Sequence, residues 1–126
     1  VSDETTTEIF TEFGFESAHF LPHVPDGHKC ARLHGHSFRV QVQVGGEVDP
    51  TLGWVMDFAD VRAACEPVRE ALDHRLLNDI DGLDNPTSEL LAAWIWERLT
   101  PSLDGHLRAV TVRETCTSGC VYRGPA

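Results

Sequence analysis

The chain is short of positive charge. It holds 10 Lys and Arg against 20 Asp and Glu, a formal net charge of −10, and its one lysine is Lys29. Such an acidic surface repels polyanions at long range, which argues against nucleic acid as a partner and requires any small anionic ligand to be met by local donors. Long apolar runs are also missing: no stretch approaches the roughly eighteen uncharged apolar residues of a membrane span. The polar, acidic opening from Val1 to Glu8 lacks the basic-then-apolar order of a secretory leader. The expected compartment is therefore the cytoplasm, with reduced thiols rather than disulfides at Cys30, Cys65, Cys116 and Cys120. No internal repeat, linker or low-complexity segment interrupts the chain. Its 126 residues, 41% apolar, suit one domain spanning 1–126 with a core of its own.

Periodicity supplies the elements. Phe13, Phe15, Ser17 and His19 share a face and Phe10 is out of phase, so a strand fits best in the second half of residues 8–19. Leu21 to Arg32, with two prolines and a glycine, reads as a long loop of the kind that is usually functional. From His34 to Val44 the alternation is strict, with Phe38, Val40, Val42 and Val44 opposite Ser37, Arg39, Gln41 and Gln43. Phe58, Val61, Cys65, Val68 and Leu72 form a helical stripe that Pro67 should kink or divide. A second helix follows Asn85-Pro86-Thr87, capped by Thr87 or Ser88; Leu90, Leu91, Trp94, Ile95 and Leu99 form its apolar face and Pro101 should stop it. Leu107 to Thr115 alternates again, with Leu107, Ala109, Thr111 and Arg113 opposite Val110, Val112 and Glu114, and a short strand returns at Cys120 to Arg123. The order strand, strand, helix, helix, strand, strand predicts an α+β fold, a four-stranded antiparallel sheet with two helices on one face.

His34 and His36 are two apart at the start of a strand, so both rings leave the same side of the pleat, with Gly35 giving room between them. His19 ends the preceding strand and would complete a three-nitrogen set if the two strands pair. Three protein ligands with a fourth position open describe a catalytic zinc site. A His-Gly-His alone also suits a turn with incidental histidines. Here, however, the pair continues into the apolar face of Phe38, Val40 and Val42, where unpaired polar rings are costly. His23, His28 and His106 sit in loop or strand-entry contexts and read as exposed histidines.

Cys30 is the reactive-thiol candidate, four residues before His34 and between Lys29 and Arg32, a setting that favours thiolate. Cys65 lies on the helical stripe and reads as core; Cys116 and Cys120 read as free thiols. Asp73-His74 follows the first helix, where the acid can hold an imidazole in one tautomer for proton transfer, although such pairs are more often structural. Glu114 shares a face with Val110 and Val112, and a carboxylate there calls for a partner, such as a guanidine-like ligand edge with two donors.

Phe15-Glu16-Ser17-Ala18-His19, Cys30-Ala31-Arg32-Leu33-His34-Gly35-His36, Leu72-Asp73-His74, Asn85-Pro86-Thr87-Ser88-Glu89 and Glu114-Thr115-Cys116 together resemble the family of 6-pyruvoyl- and 6-carboxytetrahydropterin synthases. The likeness covers nearly the whole chain, and the three residues between Cys30 and His34 resemble the carboxytetrahydropterin branch. The resemblance implies the tunnelling fold, in which sheets of several subunits join into a β-barrel and active sites form between subunits of a homo-oligomer, with a hexamer expected. It implies a lyase acting on 7,8-dihydroneopterin triphosphate, with Zn2+ on His19, His34 and His36. By the same resemblance Cys30 is the base, Asp73 and His74 its relay, and Glu114 the pterin anchor. Thr87 adds a contact, and Lys29 and Arg32 are the candidates for the triphosphate. The same resemblance leaves open a sister activity that makes the 6-pyruvoyl product, and a non-catalytic zinc- or pterin-binding module.

Overall fold

A computed structural model describes residues 7–126; the acidic stretch 1–6 lies outside the described residues. The elements are β1 (Thr7–His19), β2 (His34–Gly46), α1 (Phe58–Leu72), α2 (Ser88–Leu103), β3 (Leu107–Arg113) and β4 (Gly119–Tyr122), with short 3-10 turns at Lys29–Ala31 and Leu77–Asp79. The strands form one antiparallel sheet in the order β1-β2-β3-β4. Alternation decides its two faces. Phe15, Phe38, Val40, Val42, Val44, Val110 and Val112 meet Val61, Cys65, Val68 and Leu72 of α1 and Leu91, Ala92, Ile95 and Leu99 of α2 in a single core cluster among the described residues. The opposite face is polar: Glu12 takes hydrogen bonds from Arg39 and Gln41 at 3.2 Å each, and Glu8 takes one from Gln43 at 3.0 Å. No helix of the described residues is long and apolar enough to cross a membrane.

Several elements differ from the expectation. β1 occupies all of Thr7–His19, because β2 pairs with it from Thr7↔Gly46 to His19↔His34 and ladder bonds hold the first half as well as the second. Pro67 sits inside an undivided α1. A proline in a helix interior costs about 3 kcal/mol, less than the roughly 6 kcal/mol that the buried Val61, Val68 and Leu72 together return, at about 2 kcal/mol each, for staying in register. Pro101 likewise does not stop α2, which continues to the buried Leu103. Leu107 belongs to the core face rather than to that of Thr111 and Arg113. Gln43 pairs with Ala109 and Val44 with Leu107, so Arg108 is the extra residue of a bulge that turns the strand over. Phe58 and Leu90, first-turn residues of their helices, are 46% and 49% exposed and stand outside the core.

The free edge of β1 is stitched to the segment after α1. Glu16 N–H donates to Asp73 Oδ1 at 2.9 Å, His74 N–H to the Glu16 carbonyl at 2.6 Å, and Ala18 N–H to the Arg75 carbonyl at 3.0 Å. Ser17, buried, donates its hydroxyl to the Leu72 carbonyl and accepts from Arg75 N–H at 3.3 Å. Replacing Ser17 by Ala leaves both backbone groups without a partner and is expected to cost about 1–3 kcal/mol. Urea unfolding checks the loss, and hydrogen exchange should quicken at Arg75; an unchanged midpoint would deny the hydroxyl this role.

Candidate metal centre

The hairpin register builds the centre. His19, the last residue of β1, pairs with His34, the first of β2, and Ser17 pairs with His36, so three imidazoles gather at one end of the sheet on its core face. Ring centroids are 4.6 Å apart for His19 and His34, 5.2 Å for His19 and His36 and 4.8 Å for His34 and His36, with the planes steeply inclined. The Phe38 ring lies 5.5 Å from both His19 and His36 and gives the group an apolar floor.

Backbone carbonyls fix two tautomers. A carbonyl can only accept, so His19 Nδ1 donates to the Pro86 carbonyl at 2.9 Å and His34 Nδ1 to the Arg32 carbonyl at 2.7 Å. Each Nε2 is thereby left as a lone pair. His19 Nε2 is buried and has no hydrogen-bond partner, yet Glu114 Oε1 lies 3.1 Å away; the same oxygen is 3.5 Å from His36 Nε2. A lone pair facing a carboxylate oxygen needs a positive charge between them. A proton is disfavoured there, since burial above all holds His19 below the usual imidazole range and does the same to His36. A metal ion meets the requirement, and the ligand atoms of His19, His34, His36 and Glu114 all lie within 4.8 Å of one another. Three imidazole nitrogens with a carboxylate oxygen are a donor set suited to zinc.

The other expected residues are spread around this centre. Asp73 caps the end of α1, and its Oδ2 lies 3.0 Å from His74 Nδ1 and 3.3 Å from Arg69. The Glu16 N–H bond first, then His74, hold the Asp73 carboxyl below its usual range. His74 has φ 56°, a left-handed conformation rare in a non-glycine residue, kept in place by its backbone and side-chain bonds. An open cleft of about 590 Å³ is lined by His36, His74, Arg75, Glu16 and Ser37, so the relay candidate and one metal ligand face the same space. A second cleft, about 460 Å³, is lined by Glu114, Thr115, Cys116, Ser37, Arg39 and Arg113.

Cys30 is half-buried on the 3-10 turn, and no described contact joins it to Asp73 or His74 within the chain. Thr87 is the N-cap of α2, accepting from Leu90 N–H at 3.1 Å, which leaves its hydroxyl proton available. Lys29 and Arg32 are exposed. Cys65 is buried, and burial pushes its thiol up to about 11, as suits a core residue.

Three contributors were not foreseen: the carbonyls of Pro86 and Arg32, and His28, whose Nδ1 accepts from Cys30 N–H at 3.1 Å and caps that turn. Arg32 stands two residues before His34, the only sequence signal for its role, whereas Pro86 is 67 positions from His19 and carried none.

Fold and site together define a small α+β protein in which three histidines and a glutamate could hold a metal ion beside two clefts. The chain belongs to the 6-pyruvoyl tetrahydropterin synthase family, whose sequence model matches residues 8–125. It is 48% identical over 122 residues to the 6-carboxy-5,6,7,8-tetrahydropterin synthase of Synechocystis, covering 93% of each chain. It is 32% identical to the Bacillus subtilis enzyme of that name, covering 92% of this chain and 84% of the relative. Among solved structures, the 6-pyruvoyl tetrahydropterin synthase of Caenorhabditis elegans superposes with a TM-score of 0.87 at 29% identity, covering 96% of this chain and 97% of that one.

The lowered imidazoles set a pH response. The unfolded chain protonates its histidines near pH 6.5, whereas folded His19 and His36 resist protonation to lower pH. Their stabilising contribution is therefore complete above about pH 6.5 and is lost as pH falls toward the folded pKa values. Denaturant melts of the metal-free protein between pH 7.5 and 5 should show this loss, and His19→Phe should flatten it. A profile that is flat in the parent protein would contradict the buried neutral ring.

Proposed function

We propose that the chain is a zinc-dependent lyase converting 7,8-dihydroneopterin triphosphate to 6-carboxy-5,6,7,8-tetrahydropterin, with release of acetaldehyde and triphosphate, on a route to 7-deazaguanines such as queuosine. The near-full-length likeness to the Synechocystis enzyme carries this reading, and the unpartnered Nε2 of His19 supports the metal part of it. Zinc held by His19, His34 and His36 would supply Lewis-acid stabilisation of negative charge on the substrate's side-chain oxygens.

The chain's own groups do the rest. The Cys30 thiolate takes and returns a proton on the substrate side chain. Asp73, bonded to His74 Nδ1, fixes the tautomer that presents Nε2 for proton relay. Glu114 accepts from the pterin amino and ring N–H groups, which sets the side chain against the centre. Thr87 donates its free hydroxyl proton to the ring, and Lys29 and Arg32 meet the triphosphate. Since Cys30 has no described contact with Asp73 or His74, this reading brings them together from neighbouring subunits. Sheets of several chains then close into the barrel of a homo-oligomer, a hexamer, with each chain contributing one domain and the assembly working in the cytoplasm.

Purified protein loaded with zinc and given 7,8-dihydroneopterin triphosphate should yield carboxytetrahydropterin by mass and trapped acetaldehyde. A pyruvoyl product without acetaldehyde would move the chain to the sister activity, and no turnover with zinc bound would favour a binding module. Cys30→Ala should lower turnover on the order of 10²–10⁴-fold with zinc content unchanged. Full activity in that variant would remove Cys30 from the chemistry.

A further inference from the structure

Glu114 stands where an open fourth position was expected. Its Oε1 is 3.1 Å from His19 Nε2 and 3.5 Å from His36 Nε2. Two donors on one tetrahedral zinc, each at its usual 2.0–2.1 Å, lie about 3.4 Å from each other, so both separations are those of groups sharing an ion. The pair of His19 Nε2 and a carboxylate oxygen needs a positive charge between them, which an ion shared by both supplies.

Glu114 is also the member of the set best able to leave. The three histidines sit on paired strand residues, whereas pairing of β2 with β3 ends at Arg39↔Arg113, one residue before Glu114. Its backbone is held in the turn that follows, by its N–H to the Ser118 carbonyl at 3.0 Å. Its side chain is 29% exposed, against 0% for His19 and 21% for His36, and it lines the 460 Å³ cleft. One carboxylate thus borders both the metal centre and a space large enough for a bicyclic ring.

We propose that Glu114 is an exchangeable fourth ligand: in the resting protein its carboxylate closes the metal centre, and a pterin ring entering the adjoining cleft draws it off and opens the coordination position. The second half rests on the pterin reading above. The arrangement protects the ion from loss and from adventitious ligands until the ring that needs it has arrived. It also gives one residue two successive roles, as closing ligand and as ring anchor.

The test uses the cobalt-substituted protein, whose visible absorption reports coordination, with azide as a probe of the open position and plain pterin as the ring. Pterin lacks the side-chain hydroxyls, so it cannot open the position by substituting for them. Glu114→Gln should bind zinc at least about tenfold more weakly in chelator competition and azide at least about tenfold more tightly than the parent. Glu114→Asp, with a shorter reach, should fall between. Pterin added to the parent protein should tighten azide toward the level of Glu114→Gln. Equal zinc and azide affinities in parent and Glu114→Gln would overturn the ligand role. Pterin that binds, by fluorescence quenching, without freeing the azide position would overturn the exchange alone. A parent protein that binds no pterin would refute the pterin reading and the exchange with it, while the metal and azide results would still decide the resting ligand.

Discussion

A buried imidazole that gives one nitrogen to a backbone carbonyl must find a donor or a cation for the other, and His19, whose second nitrogen faces a carboxylate, is in that position. Its Nδ1 is held by Pro86 at the start of α2 while its Nε2 faces Glu114 without a hydrogen bond. The contact to Pro86 ties the end of β1 to the residue just before the Thr87 cap of α2, and the hairpin register places His34 and His36 around the nitrogen that remains. Leaving a buried acceptor unmatched costs of order 1–3 kcal/mol, so the sheet end is incomplete as a purely organic assembly. Metal binding and packing are the same problem here, because the rings that would ligate also continue the core face through Phe38.

Rigid and movable groups are divided accordingly. The three histidines sit on strand residues whose backbone is committed to the ladder, and two of them are locked in rotation by carbonyls. The acids and the thiol that the proposed chemistry requires lie instead just outside regular elements: Asp73 and His74 past α1, Glu114 past β3, Cys30 on a 3-10 turn. A fixed ion with adaptable proton-handling groups around it is a physically sensible distribution. The coordination geometry tolerates little error, whereas a proton must be met and released at different moments. The strained backbone of His74 is in keeping with this, since it is maintained by bonds to β1 and to Asp73 rather than by local preference.

Much of this was legible in the residues. The alternation from His34 to Val44 placed both histidines on the face of Phe38 and Val40, and the structure puts them there. The stripe from Phe58 to Leu72 gave α1, though Phe58 itself stands outside the core, and of the two caps read for α2, Thr87 and Ser88, the structure uses Thr87. Other features were not legible, each for a physical reason. Pro101 read as a stop and Pro67 as a kink or a division because local propensity counts the lost hydrogen bond; it cannot count the buried leucines and valines that keep both helices continuous. The bulge at Arg108 reverses the facing of Leu107, and no residue type marks the position of an unpaired residue in a ladder. Glu114 was recognised as a carboxylate in want of a partner, but that its oxygen would lie against His19, ninety-five positions away, depends on how β3 docks beside β2.

The sequence by itself therefore determined the kinds of elements, most of the side chains that face the core, and the three nitrogens available at one hairpin end, because these follow from period and adjacency. Only the tertiary structure decided which nitrogen of His19 and of His34 is free, which acid lies against the group and which clefts flank it. Those outcomes depend on backbone carbonyls at Pro86 and Arg32 and on a turn beyond β3. Such atoms have no identity in a string of residue types and acquire a role only when distant segments are brought within hydrogen-bond reach.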